Sequence, residues 1–538
     1  MFSSPALRSL CLLLLALALA TPVLVVAGSW LAGASPNWGH LSSTVLPSYL
    51  RHSLFLALFT GTGTLLIGVA AAWAVSRFRF PGRRVLEWAL LLPLACPAYL
   101  IAYTWTGMLA SEGALQQALP LPLPDIRSPA GAGLMLTLVL YPYVYLMTRA
   151  AFVSQSAVAL EVARTLGAGP WRRFFRVALP LARPAIIAGL ALVLMETLAD
   201  YGTVAYFGVP TLSTGIYRTW FGLGDAMAAA QLAGVLLLAM VVLLTLERRA
   251  RKERRISVAS ARAAAPLPLG RGPGLLLAAA LWLPVLLGFI LPALQLLVWS
   301  LPRWRDLAEP GFLGLLGTSL LIALCTALAA TGLGLLLIWA RRLRGDRPRR
   351  LAAGLAGFGY AVPGTVLAVG VVLVLASLDR GLNNLLASVG LPEPGLLFSG
   401  TLFAVVFACT VRFLTIPIQG LDAGLQNLSP NLDNAARSLG TASLPMLRRV
   451  HLPLLRVPLA TSALLVFVDT LKELPAALVL RPFNTNTLAV RAFELASDER
   501  LADAALPALT ILLAGVAPVI LLTRSIRNPH QESPHADH

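Results

Sequence analysis

The sequence predicts an all-α integral membrane protein of about twelve transmembrane helices, set out as two parallel, pseudo-repeated six-helix halves. Three observations carry this. Of 538 residues, 57% are hydrophobic and only 12% are charged, with a mean hydropathy of +0.78; a soluble globular domain carries about a quarter charged residues. Apolar stretches long enough to cross a bilayer recur along the whole chain. A polar segment is also written twice: residues 161–183 and 434–456, aligned without a gap, are identical at 10 of 23 positions.

The first set of spans lies near 8–31, 52–76, 86–109, 131–152, 184–207 and 226–246, and the second near 274–299, 315–340, 351–376, 397–419, 457–480 and 504–523. Lipid offers the backbone no hydrogen bonds, so stretches of this length are helices, whereas a barrel would show short alternating strands. The first span imitates a secretory signal, with Arg8 before the apolar run and an Ala18-Leu-Ala20 triplet. Its apolar run reaches about 22 residues, longer than an ordinary signal core, and is read as a spanning helix.

Placing the N-terminus in the cytoplasm puts 32 of the 42 basic residues on the cytoplasmic side, with nine outside and Lys472 inside a helix. That asymmetry follows the positive-inside rule and sets both termini in the cytoplasm. The run Arg248, Arg249, Arg251, Lys252, Arg254 and Arg255 opens an Ala/Pro/Gly-rich linker that joins the halves. Ser53 and Ser319, Trp73 and Trp339, and Pro97 and Pro363 each lie 266 residues apart; Glu196 and Asp469, Asp200 and Glu473, and Arg218 and Arg491 lie 273 apart. Because six is even, both halves enter the membrane in the same sense. The expected layout is a first helix with its outer loop at 1–49, a first transmembrane domain at 50–247 and a basic linker at 248–273. A seventh helix with its loop at 274–314, a second domain at 315–524 and a tail at 525–538 follow.

The net charge of +18 does not point to nucleic acid, because the arginines stand in short clusters between apolar runs rather than along one soluble face. Cys11, Cys96, Cys325 and Cys409 lie in or beside apolar runs without framework spacing and read as small buried hydrophobes. Three of six histidines fall in the last nine residues; such a tail reads as a solvated end, and no tightly bound metal is expected. No phosphate-cradling Gly-rich loop, His-Glu-x-x-His or nucleophile-base set is present, so no catalytic residue is assigned.

The duplicated segment is Glu161-Val-Ala-Arg-Thr-Leu-Gly167 running to Leu179-Pro180, and Asn434-Ala-Ala-Arg-Ser-Leu-Gly440 running to Leu452-Pro453. Ala163, Leu166 and Gly167, like Ala436, Leu439 and Gly440, fit a short helix with a small apolar face, closed by a glycine that tolerates the left-handed conformation. Proline then suits the first turn of the next helix. A second pattern is intramembrane charge. Glu196 and Asp200, like Asp469 and Glu473, are four apart and so share a helix face. Charges at that depth cost about 2.5–3.5 kcal/mol each on insertion scales. Three readings are open: a lining for cation passage, a tie that, with Lys472, holds the two halves together, or a position near the outer interface in water.

The repeated segments resemble the Glu-Ala-Ala…Gly loop of type I ABC importer permeases. Leu198-Ala-Asp-Tyr-Gly-Thr-Val204, Tyr206-Phe-Gly-Val-Pro210, Thr214-Gly-Ile-Tyr-Arg-Thr-Trp220, Lys472-Glu-Leu-Pro475 and Leu480-Arg-Pro-Phe483 resemble the ferric-iron permease branch of that superfamily. The resemblance spans nearly the whole chain. It implies the type I importer fold in a bacterial inner membrane and a permease subunit that is not itself an enzyme and binds no cofactor. ATP would be used by two copies of a separate ABC ATPase subunit, each receiving one coupling loop. A periplasmic binding protein would dock on the outer loops around 208–225 and 481–503, where Arg218 and Arg491 either pair with its acidic residues or anchor at the interface. Asn434 in place of the motif's glutamate removes a charge-assisted pair and makes the two sockets unequal. Alternatives are the same machine for thiamine or an organic phosphonate, and a proton-coupled twelve-helix carrier. The usual Gly-and-Asp-bearing loop of the latter is absent at Ser76–Arg84.

Overall fold

In the computed structural model the described residues are 5–118, 125–155, 162–163, 165–252, 266–343 and 346–527. Glu161, the linker core 253–265 and the histidine-bearing tail 528–538 lie outside them. Among the described residues the regular structure is helical apart from one two-residue parallel pairing, Phe78–Arg79 with Leu267–Pro268. Ten helices among the described residues are long and apolar enough to cross a membrane, or up to 12 if each of two bent pairs counts as one span.

The first half contains α1 (Pro5–Gly28), α2 (Leu46–Arg77), α3 (Ala98–Leu109), α4 (Pro129–Ser154), α5 (Leu179–Ala199), α6 (Leu212–Gly222) and α7 (Ala226–Lys252). The second contains α8 (Arg271–Val285), α9 (Leu291–Ser300), α10 (Pro310–Leu343), α11 (Gly364–Ser388), α12 (Leu402–Phe413) and α13 (Thr415–Gln426). It continues with α14 (Pro430–Ser438), α15 (Leu452–Leu471), α16 (Leu488–Ser497) and α17 (Leu501–Arg527).

The span expected at 397–419 bends by 43° between α12 and α13, and two others are broken at the matching proline of each half. Cys96 (φ −107, ψ 125) and Val362 (φ −93, ψ 124) are extended, as a residue before proline must be. Pro97 (ψ 142) and Pro363 (ψ 142) then stand at the N-cap positions of the helices that begin at Ala98 and Gly364, where the missing proline N–H breaks no helical hydrogen bond. In the first half the chain turns by 92° between Arg83–Ala95 and Ala98–Ala118. In the second, the span expected at 351–376 becomes a separate helix Arg347–Ala356 followed by α11. The spans expected to reach 207 and 480 likewise stop early, α5 at Ala199 and α15 at Leu471.

The chain packs as two compact units: residues 1–36, 219–234 and 306–491, and residues 37–218, 235–305 and 492–538. In the first unit, α1 packs on the helix Arg347–Ala356 and on α11. The approach is close enough that a Cβ at Gly370 would lie 2.8 Å from the Pro22 carbonyl carbon. Small residues permit such backbone contact where lipid supplies no hydrophobic drive between helices.

In the second unit, α2, α4 and α5 form one group, and Gly68 and Gly189 both meet Val144 on α4. The second-half segments α9 and α17 pack here as well: Trp105 Nε1 donates to the Leu287 carbonyl at 3.0 Å, Tyr103 Oη to the Ala504 carbonyl at 3.4 Å, and Arg303 pairs with Asp503. An aliphatic and aromatic core around Leu86, Leu90, Leu91, Tyr141, Tyr145 and Val285 fills this unit.

Two readings of side chains change. Cys96 and Cys409 are buried as expected, but Cys11 and Cys325 are exposed on the outer faces of α1 and α10. Arg412, counted among the cytoplasmic residues from sequence, lies inside α12 and pairs with Glu473.

Gly370→Val is expected to destabilise the purified protein by about 3 kcal/mol, because the added carbons meet backbone that cannot move aside. Gly354→Val, where an added Cβ meets nothing within 4 Å, serves as control. Thermal-unfolding midpoints of the two variants in detergent check the difference.

Candidate coupling loops and buried carboxylates

The two copies of the repeated segment fold alike at their closing turns. In the first, Leu166 N donates to Val162 O and Ala168 N to Ala163 O, both at 3.0 Å. In the second, Leu439 N donates to Ala435 O at 3.1 Å and Thr441 N to Ala436 O at 3.0 Å. The pattern is a Schellman-type closure, and it needs a left-handed residue: Gly167 has φ 77 and Gly440 φ 72. A Cβ at either glycine would meet nothing within 4 Å, so backbone conformation alone favours glycine there.

The expected small apolar face is divided in the structure. Ala436 is buried and Ala163 half-buried, whereas Leu166 is 80% exposed and Leu439 84%. Asn434 is exposed too. Each loop therefore holds its alanine inward and presents a leucine outward. Beyond both loops a π-turn precedes the next helix, Phe174–Ala178 and Leu447–His451, 273 residues apart. Pro180 and Pro453 lack the N–H that would continue the α pattern, which suits a local i→i+5 turn.

What seats each loop differs. The first is held by aromatic packing: the Trp73 ring lies 5.2 Å from Phe152 and 5.0 Å from Phe174, and Gln155 Nε2 donates to the Ala178 carbonyl at 2.8 Å. The second is held by charge. Arg342 Nε donates to Asp433 Oδ2 at 2.8 Å and its Nη1 to the Leu425 carbonyl at 2.5 Å. His451 Nε2 lies 2.9 Å from Asp433 Oδ1. Sequence reasoning passed over Arg342, Asp433 and His451. The available signal was that a histidine and an aspartate stand in the second copy where the first has Ala178 and Leu160.

The intramembrane carboxylates do not share helix faces. Asp200 sits just beyond α5 with extended backbone (ψ 131), and its carboxylate turns forward to accept from Thr203 Oγ1 at 3.0 Å and Val204 N at 3.1 Å. It thereby caps the short helix Gly202–Tyr206. Glu473 does the same for Pro475–Leu480, accepting from Ala476 N at 3.2 Å. It also takes two charge-assisted bonds from Arg412 Nη1, each 2.6 Å. Asp469, still within α15, pairs with Lys472 at 2.8 Å. Glu196 stays on the last turn of α5, half-buried. Among the described residues no group of three or more His, Cys, Asp or Glu side chains could hold a metal ion.

On the outer segments the halves are related by another offset. Leu212 N donates to Ser53 Oγ at 3.1 Å, and Leu488 N donates to Ser319 Oγ at 2.8 Å. The matching starts of α6 and α16 are thus 276 residues apart (488 − 212) rather than 273. Arg218 is the seventh residue of α6 and exposed, while Arg491 is the fourth of α16 and half-buried. The two arginines are therefore not equivalent, because the second half carries three more residues before its outer helix.

A family model for the inner membrane component of binding-protein-dependent transport systems matches residues 64–252 and again 330–528. The chain is 25% identical to the Fe(3+)-transport system permease protein FbpB 2 of Haemophilus influenzae over 88% of its own length and 89% of that protein. It is 27% identical to the thiamine transport system permease protein ThiP of Salmonella typhimurium over 90% of each. The molybdenum transport system permease protein ModB of Escherichia coli is 31% identical over 41% of this chain and 96% of its own.

Burial would raise the Asp433 carboxyl, but the hydrogen bonds from Arg342 and His451 more than reverse this and hold it below the ordinary aspartate value. A depressed acid stabilises the fold above its unfolded pKa, about 3.9, and loses that contribution as pH falls through the folded value. Amide protection of residues 430–441 should therefore be flat at neutral pH and drop below about pH 4. In Asp433→Asn it should be low throughout, without the acid step; hydrogen exchange across a pH series checks this.

Proposed function

Because the chain belongs to the binding-protein-dependent transport system inner membrane components, we propose that it is the translocation subunit of an ATP-driven importer whose cargo is ferric iron. It is a multi-pass inner-membrane permease, and its two halves are two copies of one family domain. The observation that carries the coupling assignment is the pair of loops closed at Gly167 and Gly440, each presenting an exposed leucine, Leu166 or Leu439. Two such loops on one chain suit two ATPase subunits, each receiving a short helix in a surface cleft. With both termini in the cytoplasm, as the basic residues favour, both loops face the ATPases.

The mechanism is alternating access. ATP binding brings the ATPase subunits together and draws the coupling loops with them; hydrolysis reverses the movement. Cargo arrives on a periplasmic binding protein, which holds it tightly. The permease needs only weak oxygen contacts, since a conduit must release what it passes. Of the four carboxylates, Glu473 and Asp200 are engaged as helix caps and Asp469 with Lys472, so passage of a cation would require these contacts to loosen in another state.

Iron is supported by the resemblance of segments 198–204, 206–210 and 214–220 to ferric-iron permeases and by the full-length relative from Haemophilus influenzae. The thiamine permease of Salmonella typhimurium matches over as much of the chain, so thiamine is the second reading. Proteoliposomes holding the permease and its ATPase, supplied with the binding protein encoded beside it, should take up ferric iron with ATP. Thiamine uptake without iron uptake overturns the assignment.

Gly167→Asp and Gly440→Asp should each leave membrane insertion intact, since open space surrounds both positions. Each should reduce binding-protein-stimulated ATPase activity at least about tenfold, the effect of about 1.4 kcal/mol at a docking contact. Unchanged stimulated activity in both variants would refute the docking role.

A further inference from the structure

We propose that Arg342, Asp433 and His451 are positioning residues, an ionic clasp that orders the second coupling helix, α14, on the transmembrane body before any ATPase is bound. The proposal rests on the reading of α14 as an ATPase-docking element.

Arg342 stands one residue before the end of α10. Its guanidinium reaches three consecutive parts of the chain. Nη1 and Nη2 donate to the Leu425 and Leu428 carbonyls at 2.5 and 3.1 Å, at the C-terminal end of α13, where helix carbonyls lack partners. Nε and Nη2 reach both carboxylate oxygens of Asp433, at 2.8 and 3.4 Å. Asp433 lies in the first turn of α14, where a negative charge also favours the helix dipole. His451, fully buried in the π-turn that leads into α15, lies 2.9 Å from Asp433 Oδ1, the oxygen it shares with Arg342 Nη2. Asp433 thus ties α14 to Arg342 at the end of α10 and to His451 before α15, and Arg342 in turn holds the end of α13. A planar fork suits this geometry, and a lysine ammonium does not.

The clasp uses only the inward face of α14. Asn434, Arg437 and Leu439 remain exposed, so clasping and docking do not compete. Among the described residues the first loop shows no counterpart: the residues at equivalent spacing in the sequence are Ser76, Leu160 and Ala178, and Trp73, Phe152 and Phe174 pack there instead. Those last two rings occupy the places of Leu425 and Leu447. The second helix alone should therefore respond to the loss of one charge, since removing one partner strands the others unpaired in a buried site.

The test uses the full-length chain in nanodiscs without ATPase, read by hydrogen exchange in peptides covering 162–175 and 430–441. Arg342→Met and Asp433→Asn should each speed exchange in the second peptide at least about tenfold and leave the first unchanged. Arg342→Lys should fall between them and the unaltered chain. Joint replacement of Arg342 by Met and Asp433 by Leu should recover much of the protection, because an apolar pair strands no charge. Unchanged exchange in the single variants overturns the clasp, and so does an equal rise in both peptides, which marks general destabilisation. In proteoliposomes with ATPase and binding protein, the single variants should lower uptake per ATP hydrolysed at least threefold. Faster exchange with an unchanged ratio overturns the positioning role. An unaltered permease that fails to bind the ATPase subunit at all defeats the docking reading while leaving the exchange result standing.

Discussion

Hydrogen-bond satisfaction of the backbone in a solvent that cannot supply it is the constraint on which this structure depends. Continuous helices meet it without help, but this protein breaks its helices at matched places, and at several of these breaks a side chain takes up the freed backbone groups. Asp200 and Glu473 cap the short helices after α5 and α15. Ser53 and Ser319 accept the first N–H groups of α6 and α16. Arg342 takes the last carbonyls of α13. The polar residues that stand out in so apolar a chain are thus largely concentrated where helices stop.

The same constraint links architecture to transport. A permease must change shape without exposing unpaired backbone to lipid, and capped breaks allow short helices to end at defined points. The packing units cross the sequence halves: α9 and α17 of the second half pack in a unit with α2 to α5 of the first. Fusing two family domains in one chain fixes that arrangement covalently. It also frees the two copies to differ, as they do at the repeated loops, where one copy has aromatic packing and the other an ion cluster.

Much of this was legible in the sequence. The spans follow from hydrophobic length, and the closing turns follow from Gly167 and Gly440, because their geometry depends on residues within five positions. Ala163 and Leu166 were placed on one face, yet the structure turns alanine inward and leucine outward; a helix this short has no periodic run to fix its orientation. The i,i+4 reading of Glu196 with Asp200 failed because it assumes a continuous helix, and the helix ends between them. The 273-residue offset held through the repeated loops and failed at Arg218 and Arg491, where a small insertion shifts the register.

By itself the sequence determined the helical class, the duplication and the conformation of the two loops, since length, hydropathy and left-handed glycines act locally along the chain. Only the tertiary structure decided which charges meet. The partners of Glu473 and Asp433 are Arg412 and Arg342, 61 and 91 residues away in the chain. Separations of that size carry no local signal, and a buried carboxylate takes its role from whichever cation the packing brings to it.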